Sequence, residues 1–272
     1  PRLSQEDLKS AVIFEAENHI PLPIEEVYLD YQVVSPVRNH LDHLDILIVA
    51  FPKKIVDSYV ACLKKANIKP VALEIESLAI SRALIKDETA ARSVLLIDFG
   101  ANRSAFIVFA GHSARFTFSI PISSQNFSEA ISRAMKIDLI KAEKLKIKYG
   151  LEGKSTKIGK EIFDSLIPAL TDLTEQIKKY LDYYQTHASH EHLLPNGKGI
   201  EKILICGGGA KLKGLADFFS SQLKIPVEIS NPWINILSPT VQPKEQMLIY
   251  EKEESLGYAI ALGLALRGIK EK

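Results

Sequence analysis

The sequence predicts an α/β fold in which a small helix–strand–strand–helix–strand unit precedes a larger half built on a three-strand meander. Three observations carry this prediction. Over residues 1–76, helical and strand periodicities alternate in segments each long enough for one element. Over 94–120, three apolar or alternating segments are separated only by the tight turns at Gly100 and Gly111. Gly207-Gly208-Gly209 then sits between a short buried strand and a helix.

Taken in order, the first helix starts at Ser4, with Asp7 completing a weak capping box and Gln5 and Glu6 at the positive end of the dipole. Leu8, Val12 and Ala16 recur at helical spacing until Pro21 and Pro23 stop it. Val27, Leu29, Tyr31 and Val33 alternate with polar neighbours as a half-buried strand, and Leu44 to Phe51 is a more continuous, buried one. Pro52 opens a helix to about Asn67 from the first-turn position, where proline costs little. A third strand is expected at Val71–Ile75 and a helix at Ser77–Ile85. Strands follow at Val94–Phe99, Ser104–Ala110 and Ala114–Ile120, then a helix from about Phe127. Gly150–Lys160 is a loop, Ile162–Gln185 a long helix, and residues 186–199 an exposed loop. Ile203–Cys206 is a buried strand, a helix begins near Lys213, and Leu256–Leu266 forms a small-residue helix.

Composition narrows the function classes. Apolar residues make up 46% and charged residues 25% of 272, so the chain can bury a sizeable core. A formal net charge of +1 argues against a dedicated nucleic-acid binder. Cys62 and Cys206 stand far apart outside any C-x-x-C pattern, which points to neither disulfides nor zinc and fits a reducing, cytoplasmic compartment. No apolar run approaches the ~18 residues that span a bilayer, and no signal peptide is visible. The chain begins at Pro1, consistent with a fragment or a trimmed chain.

Four constellations have chemistry in reach. In Asp98-Phe99-Gly100-Ala101-Asn102-Arg103-Ser104, a strand-end carboxylate, a glycine bend and a following hydroxyl can serve a metal-bound phosphate; an Asp-Gly hairpin turn explains the same residues. The Asp98-Phe99-Gly100 tripeptide mimics a kinase metal motif, but no H-R-D-type loop or Gly-rich loop precedes it. Gly207, Gly208 and Gly209 would let a flat or anionic ligand approach backbone, or simply make a flexible turn; neither a dinucleotide fingerprint nor a P-loop is present. Glu143 and Lys146 share a helical face at i, i+3, suited either to a ribose and adenine or to a solvated ion pair. Around them Lys136, Lys141, Lys144 and Lys148 read as a solvated face. His187, His190 and His192 could ligate a metal only in a tightly folded segment, and a polar loop beside Pro195-Asn196-Gly197 is the simpler account.

The order of these motifs resembles the actin-like ATPase superfamily, which includes actin, FtsA, MreB and sugar kinases. The Asp98–Ser104 turn looks like its second phosphate loop, Gly207–Gly209 like its adenosine motif, and Glu143 with Lys146 like its nucleoside-contacting helix. Within the superfamily, the chain resembles the PilM family through Phe14-Glu15-Ala16-Glu17 to Ile20-Pro21-Leu22-Pro23 with Asp30-Tyr31, through Ile97–Ala101, through Gly207–Ala210, and through the ending Gly263–Gly268. The resemblance implies an actin-like (ribonuclease H-like) two-lobe fold with an FtsA/PilM-type extra α/β subdomain and the first strands of lobe one missing. It divides the chain into an extra subdomain (1–76), a connecting helix of lobe one (77–92), lobe two (93–250, with 127–200 as an inserted helical subdomain), and a helix returning to lobe one (251–272). Two departures stand out: no D-x-G-x-x-[ST] first phosphate loop is supplied, and Ser123-Ser124 replace a common glycine pair.

For function, the resemblance implies a cytoplasmic scaffold of type IV pilus assembly, peripheral to the inner membrane through its partners and not itself inserted. ATP and Mg2+ would bind at Asp98, Gly100, Asn102, Ser104, Glu143, Lys146, Gly207, Gly208 and Gly209, with Asp98 at the metal. The expected partner is the short cytoplasmic peptide of a PilN-like inner-membrane protein, with other pilus assembly proteins beside it. No general base is evident, so slow hydrolysis at most is expected, and none from this chain alone. The alternatives are a small-molecule kinase, for which no sugar-contact set is recognisable, and an FtsA-like division protein, whose amphipathic tail Arg267–Lys272 is too short to supply.

Overall fold

The computed structural model describes residues 4–34, 44–86, 93–187, 199–236 and 252–270. It divides into two compact units, residues 1–73 with 111–113, and residues 74–110 with 114–272.

In the first unit, α1 (Gln5–His19) is capped by the Ser4 hydroxyl, which accepts from the Asp7 amide at 3.2 Å. Its Leu8, Val12 and Ala16 are buried, as their spacing predicts. β1 (Val27–Val34) pairs antiparallel with β2 (Asp45–Pro52). Pro52 then takes the N-cap of α2 (Lys53–Lys65), one position before the expected first turn. Tyr28 on β1 donates its hydroxyl to Asp57 on α2 at 2.9 Å, tying helix to hairpin. The expected strand at Val71–Ile75 does not form. An extended segment becomes a strand only beside a partner, and here the sheet has two strands while Val71 is 92% exposed.

The second unit holds a sheet ordered β5-β4-β3-β6-β7: β3 (Ser93–Phe99), β4 (Ser104–Ala110), β5 (Ser113–Ile120), β6 (Ile200–Cys206) and β7 (Val227–Ile229). β7, three residues long, carries too little pattern to be seen in sequence. Both faces of the central strands are covered, which explains their unbroken apolar runs. Leu95, Ile97 and Phe99 of β3, with Ile203 and Ile205 of β6, face the long helix α6 (Lys157–His187). Val94, Leu96, Leu204 and Cys206 face the opposite way, toward Ile80, Ala83 and Leu84 of α3 (Glu76–Leu84) and Ala259 of the C-terminal helix, Ala259–Lys270. Strand parity therefore sends Asp98 to the α3 face, beside Cys206 in the parallel register.

Between the meander and α6 lie α4 (Ser124–Met135) and α5 (Leu139–Tyr149). α4 begins at Ser124, not near Phe127, because Ser123 and Asn126 form a reciprocal capping box; the two serines thus make a sharp helix start. After β6 comes α7 (Leu215–Leu223), and the C-terminal helix is α8 (Ala259–Lys270). α3 and α8 pack closely because Gly263 has no side chain: a Cβ there would lie 1.8 Å from the Ala79 carbonyl oxygen. Gly263→Ala is therefore expected to cost about 3 kcal/mol in urea unfolding, and a loss below ~0.5 kcal/mol would show that the helices separate freely.

Candidate functional site

Asp98 ends β3, where the chain turns through Gly100 to Arg103 before β4. The Gly100 amide donates to the Arg103 carbonyl at 3.1 Å, and a Cβ on Gly100 would meet that same oxygen at 2.8 Å. Ala101, Asn102 and Arg103 are exposed at the tip. Ser104 is buried, and its hydroxyl donates inward to the Ile122 carbonyl at 2.6 Å, anchoring the turn to the segment before α4.

The glycines after β6 reach the same point. Gly207 has φ +82, and a Cβ on it would lie 2.3 Å from the Asp98 carboxylate oxygen Oδ1. A Cβ on Gly209 would lie 2.4 Å from the Phe99 ring. Packing against the end of β3 thus accounts for both. Gly208 differs: it is exposed, and its Cβ position has nothing within 4 Å. Of the three, it is the glycine whose backbone is open to a ligand.

Beside this junction is a cavity of about 210 Å³ lined by Glu76, Asp98, Gly100, Ala101, Asn102, Arg103, Ala105 and Ile260. Glu76 opens α3 and pairs with Arg103 at 2.5 Å. Burial pushes the Asp98 carboxyl above its usual range and the Glu76 charge adds to this, while Arg103 and the Cys206 thiol, 3.9 Å away, pull it down. Burial, followed by the Asp98 charge, raises the Cys206 thiol well above its ordinary value. A half-buried carboxylate that ionises reluctantly gains most from a cation, and an open glycine backbone offers amide donors to an anion. These residues fit a metal-bound phosphate. Glu76 is a site residue that sequence reasoning missed; only the packing of α3 brings it to Asp98. Glu76→Gln is expected to lower the Asp98 pKa, read by carboxyl-carbon NMR titration; an unmoved titration would place the source of the shift elsewhere.

Glu143 and Lys146 lie on α5 and do form an ion pair, at 2.8 Å. It is not the solvated surface pair that i, i+3 spacing allows, because the Lys146 side chain is only 6% exposed. Burial lowers the Lys146 pKa, with Glu143 opposing. Burial alone would raise the Glu143 carboxyl; hydrogen bonds from Lys146 and Ser128 outweigh it and hold the group below its usual range. Lys136, Lys141, Lys144 and Lys148 are exposed, as expected of a solvated face. His187 ends α6 with its ring stacked on Tyr183; His190 and His192 lie outside the described residues. Among the described residues, no cluster of His, Cys, Asp and Glu could hold a metal by itself, and no helix is long and apolar enough to cross a membrane.

A sheet with covered faces, a carboxylate at the end of its central strand and a glycine turn meeting it from the parallel neighbour are compatible with the actin-like class of α/β proteins, and the fold itself places the chain in that class. MreB5 of Spiroplasma citri bound to ADP shares this fold, with TM-score 0.59 and 15% identity over 81% of this chain and 67% of that one. The family model described as type IV pilus assembly protein PilM matches residues 1–269, and the chain belongs to that family. The chain also matches the solved PilM-PilN type IV pilus biogenesis complex with TM-score 0.76 and 28% identity, over 99% of this chain and 74% of that one. Cell division protein FtsA of Pseudomonas aeruginosa is 22% identical over 190 residues, 63% of this chain and 44% of its own length. The chain spans about half the length of the curated relatives it matches.

Proposed function

We propose that the full protein binds ATP with Mg2+ at the junction of the Asp98–Asn102 turn and Gly207–Gly209, and acts as a scaffold for type IV pilus assembly. One observation carries the nucleotide reading: two glycine turns from parallel strands converge on a single half-buried carboxylate, with the Gly208 backbone left open. Asp98 would hold the metal, through water or directly, while the Ala101, Asn102 and Gly208 backbones offer donors to phosphate oxygens and Gly100 makes the turn. Glu143, 45% exposed at its side chain, would accept from a ribose hydroxyl. Bound metal supplies charge neutralisation at the phosphates.

The scaffold part of the reading is supported by family membership and by the likeness to a PilM bound to PilN. That likeness supports a PilN-like partner; the proposed contact is the short cytoplasmic peptide of an inner-membrane protein, with residues 1–76 as its proposed docking unit. Nucleotide would bias partner binding only through a difference in affinity between conformations. Calorimetry on the full-length protein tests both parts. Mg·ATP is expected to bind, and a PilN-like peptide is expected to bind with an affinity that nucleotide changes. A peptide that fails to bind at all would end the scaffold reading, whereas unchanged affinity would end only the coupling.

A further inference from the structure

We infer that Lys146 is a positioning residue, a strut that fixes the nucleoside-side helix α5 to the phosphate-side turn, and that it does not itself contact the nucleotide. An ammonium group has three N–H donors. Those of Lys146 meet three acceptors within the protein: Glu143 Oε2 at 2.8 Å, the Ser124 carbonyl at 2.9 Å and the Ser124 hydroxyl at 2.8 Å. With the residue 5% exposed, no donor is left for a ribose or a base.

What Lys146 grips is the first residue of α4, and that turn grips the phosphate loop. The Ser124 amide donates to the Gly100 carbonyl at 3.0 Å and the Gln125 amide to the Ala101 carbonyl at 3.2 Å. These amides are among those that a helix N-terminus leaves without an intrahelical partner. A continuous hydrogen-bonded path thus runs from Glu143 through Lys146 and Ser124 to Gly100. Ser128 braces it by donating to the same Glu143 oxygen. Ser128 and Lys146 both bond Glu143 at Oε2, so Oε1 is the atom that remains for a ligand hydroxyl. The functional consequence rests on the nucleotide reading above: Lys146 sets the distance between the ribose acceptor and the phosphate donors.

The test has two arms. In the ligand-free chain, Lys146→Met is expected to speed hydrogen exchange at the Ser124 and Gln125 amides by about tenfold, the effect of losing hydrogen bonds to a charged group. Unchanged protection there would overturn the strut. In the full-length protein, Lys146→Met is expected to weaken both Mg·ATP and Mg·tripolyphosphate by about tenfold. A residue that touched ribose would weaken ATP and adenosine and leave tripolyphosphate, which has neither sugar nor base, unaffected; that result also overturns the proposal. Should wild type bind neither ATP nor tripolyphosphate, the nucleotide reading fails, and the exchange arm still decides the strut. If Lys146→Met does not fold, Ser124→Ala removes one of the three acceptors and is expected to move the same amides by about threefold; no movement overturns the strut.

Discussion

Replacing Glu74 with alanine is expected to destabilise the second unit by about 3–5 kcal/mol, the cost of removing one partner from a buried ion pair. The Glu74 side chain is 2% exposed and takes both nitrogens of the Arg82 fork, Nη1 at 2.6 Å and Nη2 at 2.5 Å. Arg267 of α8 adds a third contact at 3.2 Å. One carboxylate therefore joins the segment before α3 to both α3 and α8, the pair that Gly263 lets come together. Arg82 also donates to the Gly263 carbonyl at 3.1 Å, so the ion cluster and the close helix contact act at one place. Losing the carboxylate leaves two guanidinium groups sharing a partly buried site without their common counter-charge. Urea unfolding of Glu74→Ala against wild type measures this. A loss below ~1 kcal/mol would class the cluster with surface bridges and end its structural role.

Asp98→Asn is expected to have opposite effects on stability and on binding. The amide keeps the size of the carboxylate and an oxygen for the Cys206 thiol, 3.9 Å away in wild type, but carries no charge. Because burial and Glu76 raise the Asp98 pKa, the folded chain holds this proton to higher pH than the unfolded chain does. Stability contributed here is present at acid pH and lost as pH rises from the usual carboxylate range through the raised pKa. Asparagine removes that loss, so the nucleotide-free variant should match wild type at acid pH and become the more stable protein as pH increases. Mg·ATP affinity in the full-length protein should fall by about 100-fold, because Glu76, the other carboxylate lining the cavity, is paired with Arg103. Thermal melts across pH check the first effect and calorimetry the second. Affinity unchanged in the variant would remove Asp98 from the site, whatever the melts show.

Much of the frame was legible because its determinants are local. Helical spacing in α1, the Ser4 cap, the alternation in β1 and the turn at Gly100 each depend on residues within a few positions of one another. The unbroken apolar runs of β3 and β6 marked strands covered on both faces, although which residues met which helix could not be read from them. The misses have physical reasons too. Val71–Ile75 has strand-like residues and, among the described residues, no neighbouring strand; β7 is a strand only because β6 lies beside it. Ser123-Ser124 stand where the resemblance has a glycine pair, and Ser123 acts there through its hydroxyl as a cap.

By itself the sequence determined the α/β class, the order of most of the elements, and the two glycine turns and one acidic strand end of the candidate site. Only the tertiary structure decided which polar atoms face outward. Ser104 and Lys146 have side chains suited to a phosphate or a sugar, yet the Ser104 hydroxyl is spent on the Ile122 carbonyl and the Lys146 ammonium on Glu143 and Ser124. Glu76 carried no signal of its own and enters the site because α3 lies across the Asp98 end of β3. Residue type and spacing state what a side chain can bond. Which bond it makes is set by desolvation, since a buried donor must take whichever acceptor the fold places within reach.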